Sequence, residues 1–299
     1  MNQRRRRPTG IRIDGQPLSA SEAEGLADAL TRARCTLGRR KGVVSVHWAL
    51  RVAEGRSHDE VALAVMVESK LPEDELPARS RIPARVEATL GGRRRWVPTD
   101  VVQSIVATRR SAPIRGGHRA VVWGIRRGLV SAIRITGSVA EVFLCGHVGG
   151  PPGTMVSARS RDSSSTRALG PVARSSPPGD QWVDAAVVVG VPASVALALG
   201  RPHDQEPTAV DSWDIGVPVF ATLARKREPV RSLIHGVDVR VRFSDGTSMR
   251  GLIELEHDLA IGGDSGAPVA DVNGRLVGFV VGSNGSRTYL LPTKRGLNV

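Results

Sequence analysis

One serine of the sequence lies in a setting that suits a nucleophile, within the run Gly262-Gly263-Asp264-Ser265-Gly266-Ala267-Pro268-Val269. A nucleophilic serine needs backbone N–H groups aimed at the oxyanion that develops on its substrate. Glycine permits the unusual turn that aims them. A short motif is only a hypothesis until the rest of the chain supplies its partners.

A general base and an acid for Ser265 can come from two residues earlier in the sequence, His147 and Asp184. His147 follows the apolar run Val142–Cys145 and a glycine, and Asp184 leads into the apolar run 185–189. In such a set, the histidine accepts the serine proton and the aspartate fixes the tautomer of the imidazole. His118 and Asp180 remain the alternatives, but His118 precedes a strand instead of ending one, and Asp180 follows a polar Pro-Gly turn.

Together these residues resemble the trypsin/chymotrypsin-type serine peptidases in their bacterial form. The run from Gly262 to Val269, followed by Gly274–Gly282, is similar to the nucleophile loop of that family and the hairpin after it. The resemblance implies a triad of His147, Asp184 and Ser265, with Gly263 and Ser265 as the oxyanion-hole donors. It also implies an internal ion pair for Asp264, whose partner the sequence does not identify.

The resemblance also predicts a specificity pocket that includes Leu259, Val281, Gly282 and Ser283. Leu259 stands six residues before Ser265, where an aspartate would favour Arg or Lys substrates, so a small apolar pocket is expected instead. Val281 stands where the family commonly has a serine that supports the triad acid. Cys145 replaces a small residue two positions before His147, and we expect it to be a packed thiol.

Other chemistries fit less well. An α/β-hydrolase places its histidine after the serine, and no histidine follows Ser265. The subtilisin-like tetrapeptide Gly246–Met249 follows the hairpin-turn residues Ser244 and Asp245 and continues into Arg250. No nucleotide-binding or metal-binding motif is present, so neither cofactor nor metal is expected.

Short apolar runs separated by turn signals recur from about residue 113 onward, and such spacing is typical of sandwiches and barrels. The sequence therefore predicts a mostly β chain, and the resemblance implies two antiparallel six-stranded β-barrels, chymotrypsin-like, over residues 113–191 and 214–299. Both belong to a protease domain at 113–299.

The part before residue 113 is predicted to be a disordered basic arm at 1–18, a helical segment at 19–42 and a small α+β unit at 43–105. Ser21 and Glu24 form a capping-box pattern at the helix start. The α+β unit resembles an accessory unit that precedes the protease domain in some bacterial trypsin-like proteins and in the plant Narrow leaf proteases. No partner motif supports a catalytic role for His47 or His58.

The 299 residues carry a formal net charge of +13. A basic surface gains affinity for phosphate, but aromatic stacking motifs are missing, so the sequence disfavours a nucleic-acid partner without excluding it. Two cysteines rule out a disulfide-dense framework, and nothing argues for a bond between them. Since no apolar stretch reaches about 18 residues and no signal peptide is recognisable, we expect a cytoplasmic protein without a membrane span.

Two functions follow. The first is a serine endopeptidase that hydrolyses a protein or peptide substrate. The alternative is a protease-fold binding or assembly module with little or no peptidase activity, which engages an acidic partner through its basic surface. Homo-oligomerisation stays open in both.

Overall fold

The computed structural model of the protein describes residues 11–53, 56–72, 75–107, 121–124, 126–159, 165–176, 183–200, 209–210 and 214–298. These residues fall into two compact units. The first unit takes the chain up to Ile105 together with Val210–Val217 and Leu233–Arg240, and the second takes the remainder. The chain is mostly β, as the sequence predicts.

The first unit opens with a β-hairpin of two short strands, β1 (Arg12–Ile13) and β2 (Gln16–Pro17). Asp14 and Gly15 form its turn at positive φ angles of 50° and 73°, which these two residue types adopt more readily than most. Ile13 is fully buried. The prediction of a disordered arm is therefore wrong for residues 11–18, and residues 1–10 lie outside the described part of the chain.

Two helices follow, α1 (Ala20–Glu24) and α2 (Leu26–Thr36). Ser19 caps α1: its hydroxyl accepts a hydrogen bond from the Glu22 N–H at 3.4 Å, and the Glu22 carboxylate accepts one from the Ser19 N–H at 2.9 Å. The predicted capping box at residues 21–24 is thus wrong by two positions. Ser19 and Glu22 have the same spacing as Ser21 and Glu24, so the sequence pattern fits both pairs.

Four longer strands continue the sheet of the first unit, in which β1 pairs parallel with the second of them: β3 (Val43–Ala53), β4 (Arg56–Val67), β5 (Arg85–Leu90) and β6 (Arg93–Gln103). Strand β4 pairs antiparallel with β3 and parallel with β6, and β5 pairs antiparallel with β6. A short 3₁₀ turn, Ala78–Ser80, lies in the connection that the parallel pair requires. Trp48 is fully buried, and its indole N–H donates to the Leu26 carbonyl at 2.9 Å.

The first unit also contains part of a strand from much later in the sequence. Strand β15 spans Val230–Arg242, and its residues Gly236 and Val237 pair with β3. Residues 233–240 therefore belong to the first unit, although the sequence predicts them within the second barrel.

The second unit begins with a sheet of seven described strands in the order β8-β7-β11-β12-β13-β10-β9. These strands are β7 (Val121–Trp123), β8 (Arg127–Leu129), β9 (Ala132–Thr136), β10 (Val139–Leu144), β11 (Met155–Arg159), β12 (Thr166–Ser176) and β13 (Ala185–Pro192). The sequence predicts six strands in this half. That prediction rests on five apolar runs, and the structure adds two strands to them: the apolar run 129–135 is divided between β8 and β9, and β12 has no apolar run to predict it.

The remaining strands are β14 (Pro218–Ala221), β16 (Ser248–Leu255), β17 (Pro268–Asp271), β18 (Leu276–Ser283) and β19 (Thr288–Pro292). Their order is β14-β17-β18-β19-β16, and β15, whose residues 230–232 and 241–242 belong to this unit, pairs with both β16 and β14. The pairings therefore run around a ring of six strands.

Side chains from both sheets of the second unit meet in one buried cluster, formed by Ala132, Phe143, Val187, Leu276 and Phe279. This contact fixes the strand that precedes His147 relative to the hairpin that follows Ser265.

Three short helices complete the second unit: α3 (Gly146–Gly149), α4 (Ala193–Leu197) and α5 (Thr293–Gly296). Across the described residues, none of the helices is long and apolar enough to span a membrane. Both cysteines are free thiols, Cys35 exposed and Cys145 buried.

Candidate active site

His147 lies on the single helical turn α3, directly after strand β10. Its side chain is 5% exposed, and its backbone N–H donates to Asp184 Oδ1 at 2.8 Å. A Cβ on the preceding Gly146 would lie 2.7 Å from the Ser176 carbonyl oxygen and 3.0 Å from Asp184 Oδ1. Glycine is therefore required before the histidine, because any side chain would displace the backbone that Asp184 binds.

Asp184 immediately precedes strand β13 and is completely buried. Its second oxygen, Oδ2, lies 2.6 Å from Nδ1 of His147. A carboxylate at this distance accepts a hydrogen from Nδ1, and this leaves Nε2 as the acceptor nitrogen of a neutral imidazole. The acid thus contacts both the backbone and the ring of His147.

Ser265 completes the line of contacts. Its Oγ lies 2.9 Å from Nε2 of His147, on the side of the ring opposite Asp184, and the residue is fully buried. The structure therefore brings together all three residues that the sequence singles out. Their arrangement allows a proton to pass from the Ser265 hydroxyl to His147.

The loop around Ser265 has the backbone conformation that glycine favours. Gly263 has a φ of 101° and Gly266 a φ of 90°. Among the described residues, the N–H groups of Gly263 and Ser265 donate to no protein acceptor. Both are the donors that the sequence predicts for an oxyanion hole.

Asp264 stabilises this loop through buried hydrogen bonds. It is 1% exposed, and its carboxylate accepts hydrogen bonds from the N–H groups of Ala224 at 2.8 Å and Ile261 at 2.9 Å. The resemblance implied an ion pair for this aspartate without identifying a partner. Two of its contacts in the structure are backbone amides, which a sequence pattern does not reveal.

Backbone contacts that sequence reasoning missed also position the nucleophile. The Leu129 N–H donates to the Ser265 carbonyl at 2.8 Å. The Val280 carbonyl accepts from both the Gly266 N–H, at 2.8 Å, and the Cys145 thiol, at 3.4 Å. One carbonyl thus joins the loop that carries Ser265 to the strand end that carries His147. Carbonyl groups have no sequence signature, so only the unusual Cys145 could have pointed to this link.

No protein-family model matches the sequence, and a search of the curated proteins finds no match to it. Solved structures similar to the chain are trypsin/chymotrypsin-like serine proteases. Thermobifida fusca protease A is 21% identical over 61% of this chain and 93% of its own, with a TM-score of 0.42. An alpha-lytic protease homologue, N4, is 22% identical over 62% and 95%, with a TM-score of 0.43.

The predicted specificity residues lie against strand β19. In the register of the sheet, Gly282 pairs with Tyr289 and Ser283 with Thr288. The Leu259 N–H donates to the Thr288 hydroxyl at 2.9 Å. The fourth predicted residue, Val281, is completely buried and has no polar group to offer Asp184. A pocket formed by these residues remains a prediction.

A buried polar cluster lies beside them and was not foreseen. Glu254 is opposite Tyr289 in the sheet, and the amide of Asn284 donates to the Tyr289 hydroxyl at 2.8 Å. Burial raises the pKa of Glu254 to about 7, although Arg287 and the hydrogen bond with Tyr289 act in the opposite direction. Burial also raises the pKa of Tyr289 well above its usual value. Glu254 therefore titrates near neutral pH.

The other histidines and acids weighed in the sequence do not join this site. His118 and Asp180 lie outside the described residues. His47 belongs to the first unit and is buried there, where burial, with Arg34 nearby, lowers its pKa to about 3. His58 is exposed in the same unit.

Proposed function

We propose that this protein is a serine endopeptidase that hydrolyses peptide bonds of a protein or peptide substrate. The observation that supports this most is the continuous line from Asp184 Oδ2 to His147 Nδ1, 2.6 Å, and from His147 Nε2 to Ser265 Oγ, 2.9 Å. Nucleophile, base and orienting acid are thus each within hydrogen-bond reach of the next.

In the first chemical step, Ser265 Oγ attacks the carbonyl carbon of the scissile bond while His147 Nε2 takes its proton. Asp184 keeps Nδ1 protonated and stabilises the imidazolium that forms. The carbonyl oxygen becomes an oxyanion, and the N–H groups of Gly263 and Ser265 donate to it.

The second half of the reaction uses the same residues in reverse roles. His147 gives its proton to the leaving amine, which departs and leaves an acyl group on Ser265 Oγ. A water molecule then attacks the acyl carbon while His147 accepts its proton, and the ester bond breaks as His147 returns a proton to Ser265 Oγ. The products are an acid, an amine and the regenerated serine.

The experiment that tests this proposal is hydrolysis of casein and of a mixed peptide library by the wild type and by Ser265→Ala, with new termini identified by mass spectrometry. We expect internal cleavage by the wild type and none by the variant. If both proteins cleave equally, the activity comes from a contaminant. If neither cleaves, a binding or assembly module that engages an acidic partner becomes the better account.

A further inference from the structure

A third metal-ligating side chain lies beside the His147–Asp184 pair. Cys145 is 1% exposed, and its Sγ, a ring nitrogen of His147 and a carboxylate oxygen of Asp184 all lie within 4.8 Å of one another. The peptide-bond chemistry needs no thiol. The cluster therefore has ligands for a second kind of chemistry.

Sulfur, imidazole nitrogen and carboxylate oxygen are the ligand atoms that Zn²⁺ takes in proteins. With bond lengths of about 2.0 to 2.3 Å, tetrahedral geometry sets ligand atoms roughly 3 to 4 Å apart. The spread of the three atoms is close to that range. The contact of 2.6 Å between Nδ1 and Oδ2 would have to lengthen by about 1 Å on binding.

We propose that Cys145, His147 and Asp184 form a binding site for a thiophilic divalent cation such as Zn²⁺ or Cd²⁺. The charges of the ligands favour this site, because a thiolate and a carboxylate together neutralise a doubly charged ion among buried residues. An apolar residue at position 145 would leave a net positive charge buried, at a large desolvation cost. Cys145 is thus the residue that makes the site selective for soft cations.

Binding would switch off the proposed peptidase, and this consequence rests on the proposed function. The Cys145 thiol releases one proton to solvent, the single ring proton of His147 moves from Nδ1 to Nε2, and nothing is oxidised or reduced. Nε2 then carries the ring proton and can no longer accept the proton of Ser265. A chelator that removes the ion restores the original hydrogen bonds.

The test is the ultraviolet charge-transfer band of a cadmium–thiolate bond, measured as Cd²⁺ is added to the Cys35→Ser protein. The chain has two cysteines, and Cys35 is exposed, so in this variant the band can come only from Cys145. We expect saturation at one ion per chain. Asp184→Asn in the same background should weaken binding at least tenfold, and Ser265→Ala should leave it unchanged.

Absence of a band in folded Cys35→Ser protein, checked by circular dichroism, overturns the proposal, as does equal binding after Asp184→Asn. Where peptidase activity is measurable, we also expect Cd²⁺ to inhibit the Cys35→Ser enzyme and EDTA to reverse the inhibition. Cys145→Ser in that background should lower the sensitivity at least tenfold relative to its own uninhibited rate. The band needs no turnover, so failure of the peptidase proposal leaves this test intact.

Discussion

At the residue scale, Asp184 controls which nitrogen of His147 carries the proton. In Asp184→Asn, the amide can donate its N–H to Nδ1, which stabilises the tautomer with a proton on Nε2. That tautomer cannot accept the proton of Ser265. We expect kcat/KM to fall by about 10⁴-fold, measured with a fluorogenic peptide. Asp59→Asn removes an exposed carboxylate of the first unit and should leave the rate within twofold. A similar loss in both variants would contradict the role of Asp184.

The raised pKa of Glu254 makes the free energy of unfolding depend on pH. Its folded pKa of about 7 exceeds its usual value of 4.5, so the folded chain binds the proton more tightly than the unfolded chain. The resulting stabilisation is fully present below pH 4.5 and is lost as pH rises through about 7, a change of roughly 3 kcal/mol at most.

We therefore expect Glu254→Gln to unfold at a higher denaturant concentration than the wild type at pH 8, and at a similar one near pH 5. The measurement is urea unfolding at both pH values. Glu87→Gln, which changes an exposed carboxylate, serves as the control and should follow the wild type. Parallel pH dependence of the wild type and Glu254→Gln would show that Glu254 does not titrate in this range.

At the element scale, the nucleophile loop depends on a close approach at Gly266. A Cβ there would lie 2.4 Å from the Leu129 carbonyl oxygen, whereas Gly274 has a similar positive φ, 76°, with nothing within 4 Å of its Cβ position. The Gly274→Ala variant should lose about 1 kcal/mol of folding free energy to backbone strain and should keep the activity of the wild type. Gly266→Ala should also move the loop and lower kcat/KM by about 10²-fold. Equal activity in the two variants would contradict this account.

Apolar runs predicted most strands of the second unit, because buried strands need apolar side chains. Strand β12 was missed because only Leu169 and Val172 of its eleven residues are buried. Pairing on both sides, with β11 and β13, makes it a strand despite its polar sequence. The break between α1 and α2 at Gly25 was missed for a related reason: a Cβ at Gly25 would lie 2.8 Å from the backbone of Gly91, a long-range contact.

The triad could be predicted from the sequence because each of its residues lies at the end of an apolar run or in a glycine-rich loop. The groups that support it could not. Backbone amides of Ala224 and Leu129 and the carbonyl of Val280 become neighbours of the site only through the fold. The Glu254 cluster was missed because burial of an acid is invisible until its strand neighbours are known.

At the scale of the whole molecule, the first unit is built from distant parts of the chain. It contains residues 233–240, and Arg34 of helix α2 binds Asp238 there with a side-chain contact of 2.6 Å and a contact to its carbonyl of 2.9 Å. The linear division at residues 105–113 that the sequence predicts leaves these partners apart, because sequence patterns do not show which strands pair.

A truncated chain of residues 106–299 should therefore fail to fold cooperatively. It would expose the middle of β15, whose Gly236 and Val237 pair with β3, and unpaired strands in water promote aggregation. The measurement is soluble yield and thermal unfolding, with the full chain and the Arg34→Met variant as comparisons. We expect Arg34→Met to stay folded with a lower Tm. A sharp unfolding transition of the truncated chain would contradict this view of the first unit.

The central claim, that Ser265 is an activated nucleophile, is tested most directly by covalent labelling with a fluorophosphonate probe and intact-mass analysis. The account predicts one probe per wild-type chain attached to Ser265, none on Ser265→Ala and strongly slowed labelling of Asp184→Asn. Folded wild-type protein that takes up no probe would contradict it, and so would label found on another residue.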